Sequence, residues 1–453
     1  MKQSLDKLFQ LSSRNTSLRI EIMAGVTTFI TMAYIIAVQP AVLCTDFSGN
    51  PTGLDHGAVV LATCLSAAFA TLMMGLYANY PIALAPGMGE NFFFVSTIIA
   101  LKGMGIINAW QTAMGIVFSS GIIFVFISLL QLRETLFNAI TPSLRNGMAA
   151  GIGLFIAFIG LQRGGIINSS PPTSVGLNCP IFKSDNVVDV IVFLIGLAVA
   201  GGLQARQIKG SILIGIVVSA ITAVTFGRLK PTEIFGLPSI NDNIILKIDI
   251  ASALSPALIP YIMLFLFMDV FDTMGTVAGV AEQANLIINN RIKDVDKVFL
   301  TDACGTVFGA CVGTSTVTSY IESSAGIACG GRTGLASVVT GILFLVALFI
   351  SPLIKVIALY PPVTACALVI VGSLMLNNVT KIEWNDFSEA FPAFLIIIGI
   401  PLTYSIADGL SLGLFMYPIT KLLCGKIREV RPVLYITALI IVAYFLFVRM
   451  KLI

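Results

Sequence analysis

The sequence holds one histidine, two tryptophans and, among 453 residues, a charged fraction of only 11%. Its eight cysteines include no Cys-x-x-Cys pair. Each scarcity excludes something. Without cysteines at ligand spacing, neither a disulfide frame nor a zinc site is expected, and no cofactor or metal is anticipated. Cys64, Cys304, Cys311, Cys329, Cys366 and Cys424 fall in or beside apolar runs and read as reduced packing residues. The lone imidazole, His56, opens an apolar run after a polar loop and reads as a surface residue. A net charge of +3 is too small to suggest a nucleic-acid partner. What the chain has in abundance is oil: 57% hydrophobic residues and a mean hydropathy of +0.96. No soluble core absorbs that much apolar surface, so the chain reads as an all-α polytopic membrane protein whose main partner is the lipid bilayer.

Residues 1–19 are polar and carry Lys2, Lys7, Arg14 and Arg19. The apolar run from Ile20 to Leu43 is too long for a signal-peptide core and is expected to remain as the first span. Further spans are expected at about 57–77, 81–101, 109–132, 147–162, 187–204 and 211–226, close to the length that a hydrocarbon core of roughly 30 Å demands or somewhat short of it. After a polar stretch from Arg228 to Ala251, a second set of seven follows at 255–283, 298–312, 314–329, 333–352, 361–377, 388–404 and 407–424. With a cytoplasmic N-terminus, 17 of the 26 lysines and arginines then fall on inner segments, as the positive-inside rule requires. The last apolar run, Pro432 to Val448 within the C-terminal segment 425–453, fits this scheme badly, because a fifteenth crossing would put the C-terminus outside.

Fourteen spans arranged as seven plus seven have a consequence. An odd-numbered unit repeated in tandem inserts its second copy upside down. Inverted repeats of this kind bind substrate near the midplane, between broken helices at matching positions of the two halves. Here those are the third and tenth spans. In the third, Pro86, Gly87 and Gly89 interrupt the apolar run and stop or restart a helix. In the tenth, Thr314, Ser315, Thr316, Val317 and Thr318 disfavour helix ahead of Tyr320 and Glu322. Both read as a short extended segment running into a half helix. A pair of merely kinked packing helices is the plainer alternative.

The acids bear on that choice. Glu90, Asp269, Asp272, Asp302 and Glu322 fall within or near apolar spans with no lysine or arginine deep enough to pair with them. A lone carboxylate in hydrocarbon costs a few kcal/mol even on insertion scales, so some of these groups are expected to carry a proton at rest. That is the raw material of proton coupling. Asp269 and Asp272, three residues apart, share one face of the eighth span. Asp302, near the inner end of its span, reads as an interfacial or capping residue.

The motifs Thr-Thr-Phe-Ile-Thr-Met-Ala-Tyr at 27–34, Ala-Pro-Gly-Met-Gly at 85–89 with Asn91, Phe-Asp-Thr-Met-Gly-Thr at 271–276, the block from Gly313 to Ala328 and Gly-Gly-Arg-Thr-Gly at 330–334 resemble the AzgA-type purine permeases. These form a branch of the nucleobase-ascorbate (xanthine/uracil permease) superfamily, and the likeness covers nearly the whole chain. The resemblance implies a core domain (20–134 and 255–356), a gate domain (141–226 and 361–424), an elevator-like motion, often as a homodimer, and import of adenine, guanine or hypoxanthine with protons across the cell membrane. Carried over by position, it makes Glu322 the carboxylate that grips the base, Asp269 and Asp272 the acids of binding and proton coupling, and Asn91 a polar contact. Thr318 is a further candidate contact. Phe92, Phe93 and Tyr34 are candidates for a stacking face, and Thr27, Thr28 and Thr31 for the cavity wall. Glu90 and Phe92 stand where the family pattern has an apolar residue and an alanine; an added acid there joins the proton-coupling candidates.

Two other classes compete. Asp269 and Asp272 could form an Asp-x-x-Asp metal-diphosphate site of a membrane enzyme, but no second acidic motif accompanies them. A transporter of another nucleobase, such as xanthine or uracil, or of a small anion, could share the fold; for an anion the carboxylates are the wrong sign.

Overall fold

The computed structural model describes residues 6, 8–130, 141–170, 174–177, 187–230, 235–236, 244–284, 287–288, 291–292, 294–426, 430 and 434–435. Most of the extra apolar run at 432–448 therefore lies outside the described residues.

The chain is mostly helical. The helices are α1 (Leu18–Met32), α2 (Tyr34–Leu43), α3 (His56–Met73), α4 (Met88–Gly103), α5 (Ala109–Leu129), α6 (Pro142–Arg163), α7 (Val187–Ala205), α8 (Ser211–Thr225), α9 (Ile259–Gln283), α10 (Val295–Val312), α11 (Ser323–Ala328), α12 (Gly334–Ala347), α13 (Ser351–Ala358), α14 (Pro361–Leu376), α15 (Phe387–Thr403) and α16 (Ile406–Leu423). Among the described residues eight segments are long and apolar enough to cross a membrane, with α1 and α2 counted as one, and three shorter apolar helices accompany them. Their ends carry the expected signals. Ser17, Asp55, Thr333 and Ser405 accept first-turn N–H groups, and α6 and α14 begin on a proline, whose missing N–H costs nothing there.

Packing divides the helices into two groups. In one, α6 lies against α14 and α15, α15 against α16, and α7 against α8 and α14; in the other, α12 lies against α1 and α3, and α10 against α3 and α5. Glycine permits the closest crossings: a Cβ at Gly75 would sit 2.5 Å from the Gly334 carbonyl oxygen. At that crossing the left-handed Asn79, φ 53°, takes the Gly334 N–H on its side-chain oxygen at 2.7 Å.

Two spans are not continuous helices. Strand β1 (Leu84–Pro86) precedes α4, and strand β2 (Val317–Ser319) precedes α11. The two pair antiparallel, with Leu84 opposite Ser319, Ala85 opposite Thr318 and Pro86 opposite Val317. The Tyr320 N–H reaches the Ala83 carbonyl and the Gly87 N–H the Thr316 carbonyl, both at 3.0 Å. Pro86 has no N–H to offer and breaks the helix; the β-branched Thr316, Val317 and Thr318 favour the extended form opposite it. Away from water each broken segment must find hydrogen-bond partners, and each finds them in the other.

A network of ions closes the end of the α6–α15–α16 group. The buried Lys421 pairs with Glu389 at 2.8 Å, and Glu389 also accepts from Thr141 at 2.7 Å and Tyr417 at 2.9 Å. In the connection before α15, Asp386 accepts from Lys426 at 2.7 Å and caps the helix through the Ser388 N–H at 3.0 Å. These bonds, that of Lys426 foremost, hold the Asp386 carboxyl well below the usual aspartate range. A carboxyl with a depressed folded-state value stabilises fully above its unfolded value, near pH 4, and loses that contribution as pH falls through the folded value. We therefore expect the thermal midpoint of the detergent-solubilised protein to drop below about pH 4 more steeply in wild type than in Asp386→Asn. Parallel pH curves would refute the assignment.

Candidate functional site

The site is built where the two strand–helix junctions meet α1, α2, α9 and α10. Glu322 is the residue on which α11 begins, and it is half-buried. The turn at Ala33 separates α1 from α2 and brings Tyr34 to face it: the Tyr34 hydroxyl donates to Glu322 Oε1 at 2.8 Å. Thr31 donates to the Glu322 carbonyl at 3.4 Å and to the Thr28 carbonyl at 2.7 Å. Tyr34 thus serves through its hydroxyl, where the sequence suggested a stacking ring. Among the threonines of α1, Thr31 touches the junction directly, while Thr27 lies 3.7 Å from the Cys329 sulfur.

On the other side of the strand pair, Asp272 stays exposed although it lies in the middle of α9. Thr318 donates to its Oδ2 at 3.2 Å, and the Thr318 and Thr273 hydroxyls are 3.0 Å apart. Thr273 in turn donates to Asp302 Oδ2 at 2.6 Å, and Ser319 to Asp302 Oδ1 at 3.1 Å. Asp269 accepts from Thr306 at 2.8 Å, while Thr306 takes the Val317 N–H at 3.2 Å. Strand β2 is therefore hung on α9 and α10 by a run of hydroxyls between carboxyls.

This corrects one expectation. Asp302 is neither interfacial nor a cap; at 0% exposure in the interior of α10 it joins β2 to α9. Its position near the end of an apolar run misled, because only the pairing of β2 brings Ser319 and Thr273 to it. Asp269, 1% exposed, lies deeper than Asp272, so the two acids that share a helix face have different surroundings. Glu90 is buried in the first turn of α4. Among the described residues none of Glu90, Asp269, Asp272, Asp302 and Glu322 pairs with a lysine or arginine.

Two predicted contacts lie elsewhere. Asn91 is fully buried behind the strand pair, where Gln39 Nε2 donates to its Oδ1 at 3.0 Å and to Thr314 Oγ1 at 2.8 Å. The Asn91 amide returns a bond to Gln39, and Ser315 donates to Asn91 as well. Phe92, also fully buried, stacks on Phe47 with centroids 6.2 Å apart and meets the edge of Phe155 at 6.2 Å. Phe93 packs on Phe265 at 4.4 Å. The structure thus gathers Glu322, Thr318, Asp272, Asp269 and Glu90 around the strand pair and leaves Asn91 and Phe92 packed behind it. Gln39, Thr273, Thr306 and Ser319 were not anticipated. Gln39 carried a signal, a long polar amide inside an apolar helix and ahead of Pro40; the others were hydroxyls like many in the chain.

Residues 19–412 match the family model described as Permease family, Xan_ur_permease. The chain is 43% identical to the guanine/hypoxanthine permease PbuG of Bacillus subtilis (strain 168), over 97% of this chain and 99% of that protein. It is 35% identical to the adenine permease AdeQ of Escherichia coli (strain K12), over 96% of this chain and 94% of that protein. Among solved structures, the transmembrane domain of a cyanobacterium bicarbonate transporter, BicA, superposes with a TM-score of 0.64 at 15% identity, covering 88% of this chain and 97% of that one; this likeness is one of fold.

The Gln39 cluster generates a stability prediction. Gln39→Leu strands the buried amide of Asn91 and loses the bond to Thr314, at about 1–3 kcal/mol per buried group left unpaired. We expect the variant's thermal midpoint in detergent to fall by several degrees, read by a fluorescence-monitored melt. An unchanged midpoint would show that the cluster contributes nothing.

Proposed function

The chain belongs to the Xan_ur_permease family, in its AzgA-type purine branch, and is a multi-pass membrane protein; on that footing we propose that it imports purine nucleobases, namely adenine, guanine or hypoxanthine, by proton symport. The observation that carries the reading is the pairing of β1 with β2 between two half-buried or exposed carboxyls, Glu322 held by Tyr34 and Asp272 held by Thr318. A carboxylate accepts two adjacent N–H donors of a flat base, and a protonated one donates to a ring nitrogen. Glu322 grips the base; Asp272 faces it across the strands; Asp269 and Glu90 take part in the proton movement. Asn91 and Phe92 act through packing, by fixing the start of α4.

In this reading the helices, short ones included, form fourteen spans in two inverted sets of seven, with the N-terminus cytoplasmic. The α1, α3, α5, α10 and α12 group belongs to the moving core, and the α6, α7, α8, α14, α15 and α16 group to the gate, as the division of packing supports. The core carries the base across by an elevator-like displacement against the gate, and the protein works as a homodimer. A small anion is disfavoured, since five carboxyls without a described cation would repel it.

Proteoliposomes containing the purified protein are expected to accumulate labelled adenine, guanine or hypoxanthine when the inward proton gradient is imposed, and to lose accumulation when it is collapsed. Failure to take up any nucleobase would sink the reading. Glu322→Gln, which removes a charged acceptor but keeps the shape, is expected to cut uptake roughly a hundredfold with the protein still in the membrane. Uptake at the wild-type rate would remove Glu322 from the site.

A further inference from the structure

Glu90 is the one acid of the cluster for which the structure gives neither a hydroxyl donor nor a part in holding the strands. It lies in the first turn of α4, 3% exposed, with its carboxyl in hydrogen-bonding range of its own backbone N–H. Its Oε2 rests over Gly87. A Cβ at Gly87 would collide with that oxygen and lie 2.8 Å from the Thr318 methyl, so glycine is what lets the carboxyl approach the strand crossing.

An antiparallel pair has a local two-fold axis at its centre. Here Ala85 faces Thr318, and Glu90 stands five residues beyond Ala85 as Ser323 stands beyond Thr318. The two-fold therefore carries Glu90 to the position next to Glu322. Both carboxyls open a half helix, both bond their own backbone N–H, and they flank the crossing from opposite ends. The donors nearby are already engaged: the Tyr34 hydroxyl with Glu322 and the Thr318 hydroxyl with Asp272. A carboxyl holds acceptor lone pairs in either protonation state and at most one donor. What these side chains lack, a ligand must bring, and that is N–H donors.

We propose that Glu90 is a specificity-determining residue, a second base-binding carboxyl set nearly symmetrically to Glu322, which makes the site favour purines bearing an exocyclic amine, adenine and guanine, over hypoxanthine and xanthine. The inference rests on the nucleobase reading and narrows it. The amine supplies two N–H donors where the oxopurines bring a carbonyl oxygen, and a carbonyl facing a carboxylate leaves two acceptors opposed without a proton between them.

Equilibrium binding to the purified full-length protein, with labelled adenine displaced by unlabelled adenine, guanine, hypoxanthine and xanthine, tests this without requiring transport. Wild type is expected to bind adenine and guanine more tightly than the oxopurines. In Glu90→Leu the Kd for adenine and guanine should rise about tenfold or more, while that for hypoxanthine changes less than about twofold, so the order of preference narrows or reverses. Glu90→Gln, the same size, should give the same direction with a smaller change, and decides the question if the leucine variant does not fold. Parallel shifts for all four bases, or none, would overturn the role of Glu90 while leaving nucleobase binding intact. No binding of any base by wild type would overturn both readings.

Discussion

The crossing of two short strands in the middle of the protein is the constraint on which the rest depends. In a hydrocarbon environment a backbone that leaves the helix must satisfy its polar groups within the protein. Here Pro86 and the Thr316–Thr318 run leave it at positions where each can satisfy the other. Once paired, the strands fix where α4 and α11 begin, and so where Glu90 and Glu322 stand. The hydroxyls of Thr273, Thr306, Thr318 and Ser319 then tie β2 to the acids of α9 and α10.

The same crossing explains why so many carboxyls gather without a described cation to balance them. Each is expensive alone in an apolar surrounding, and the expense is tolerable where hydroxyls and backbone N–H groups solvate the acid. Asp302 and Asp269 are wholly enclosed and act on the architecture of β2; Asp272 and Glu322 keep a face open. A gradient of exposure within one cluster suits a site that binds a neutral ligand at its rim and handles protons behind it. The glutamine–asparagine cluster of Gln39 and Asn91 plays a different part, bracing α2 against α4 and the start of the β2 segment.

Much of this was legible before any coordinates. The breaks in the third and tenth spans followed from proline, glycine and β-branched residues standing where helix was needed, and the importance of Glu322 and the Asp269–Asp272 pair from charge in an apolar run. What misled was reading residues by their place along the chain. Asp302 looked peripheral because its span begins nearby, yet the strand opposite makes it central. Asn91 and Phe92 looked like ligands because they follow a conspicuous motif, yet the helix turn points them at Gln39 and at Phe47.

Hydropathy, positional charge and helix-breaking residues by themselves determined that the chain is a helical membrane protein with two interrupted spans and acids beside them, because these are local properties that no partner need supply. Which acids face an open site and which serve the scaffold was decided only by the tertiary structure. That choice depends on contacts between residues far apart in the chain, such as Tyr34 with Glu322 and Thr273 with Asp302, and neither residue of such a pair carries the other's address.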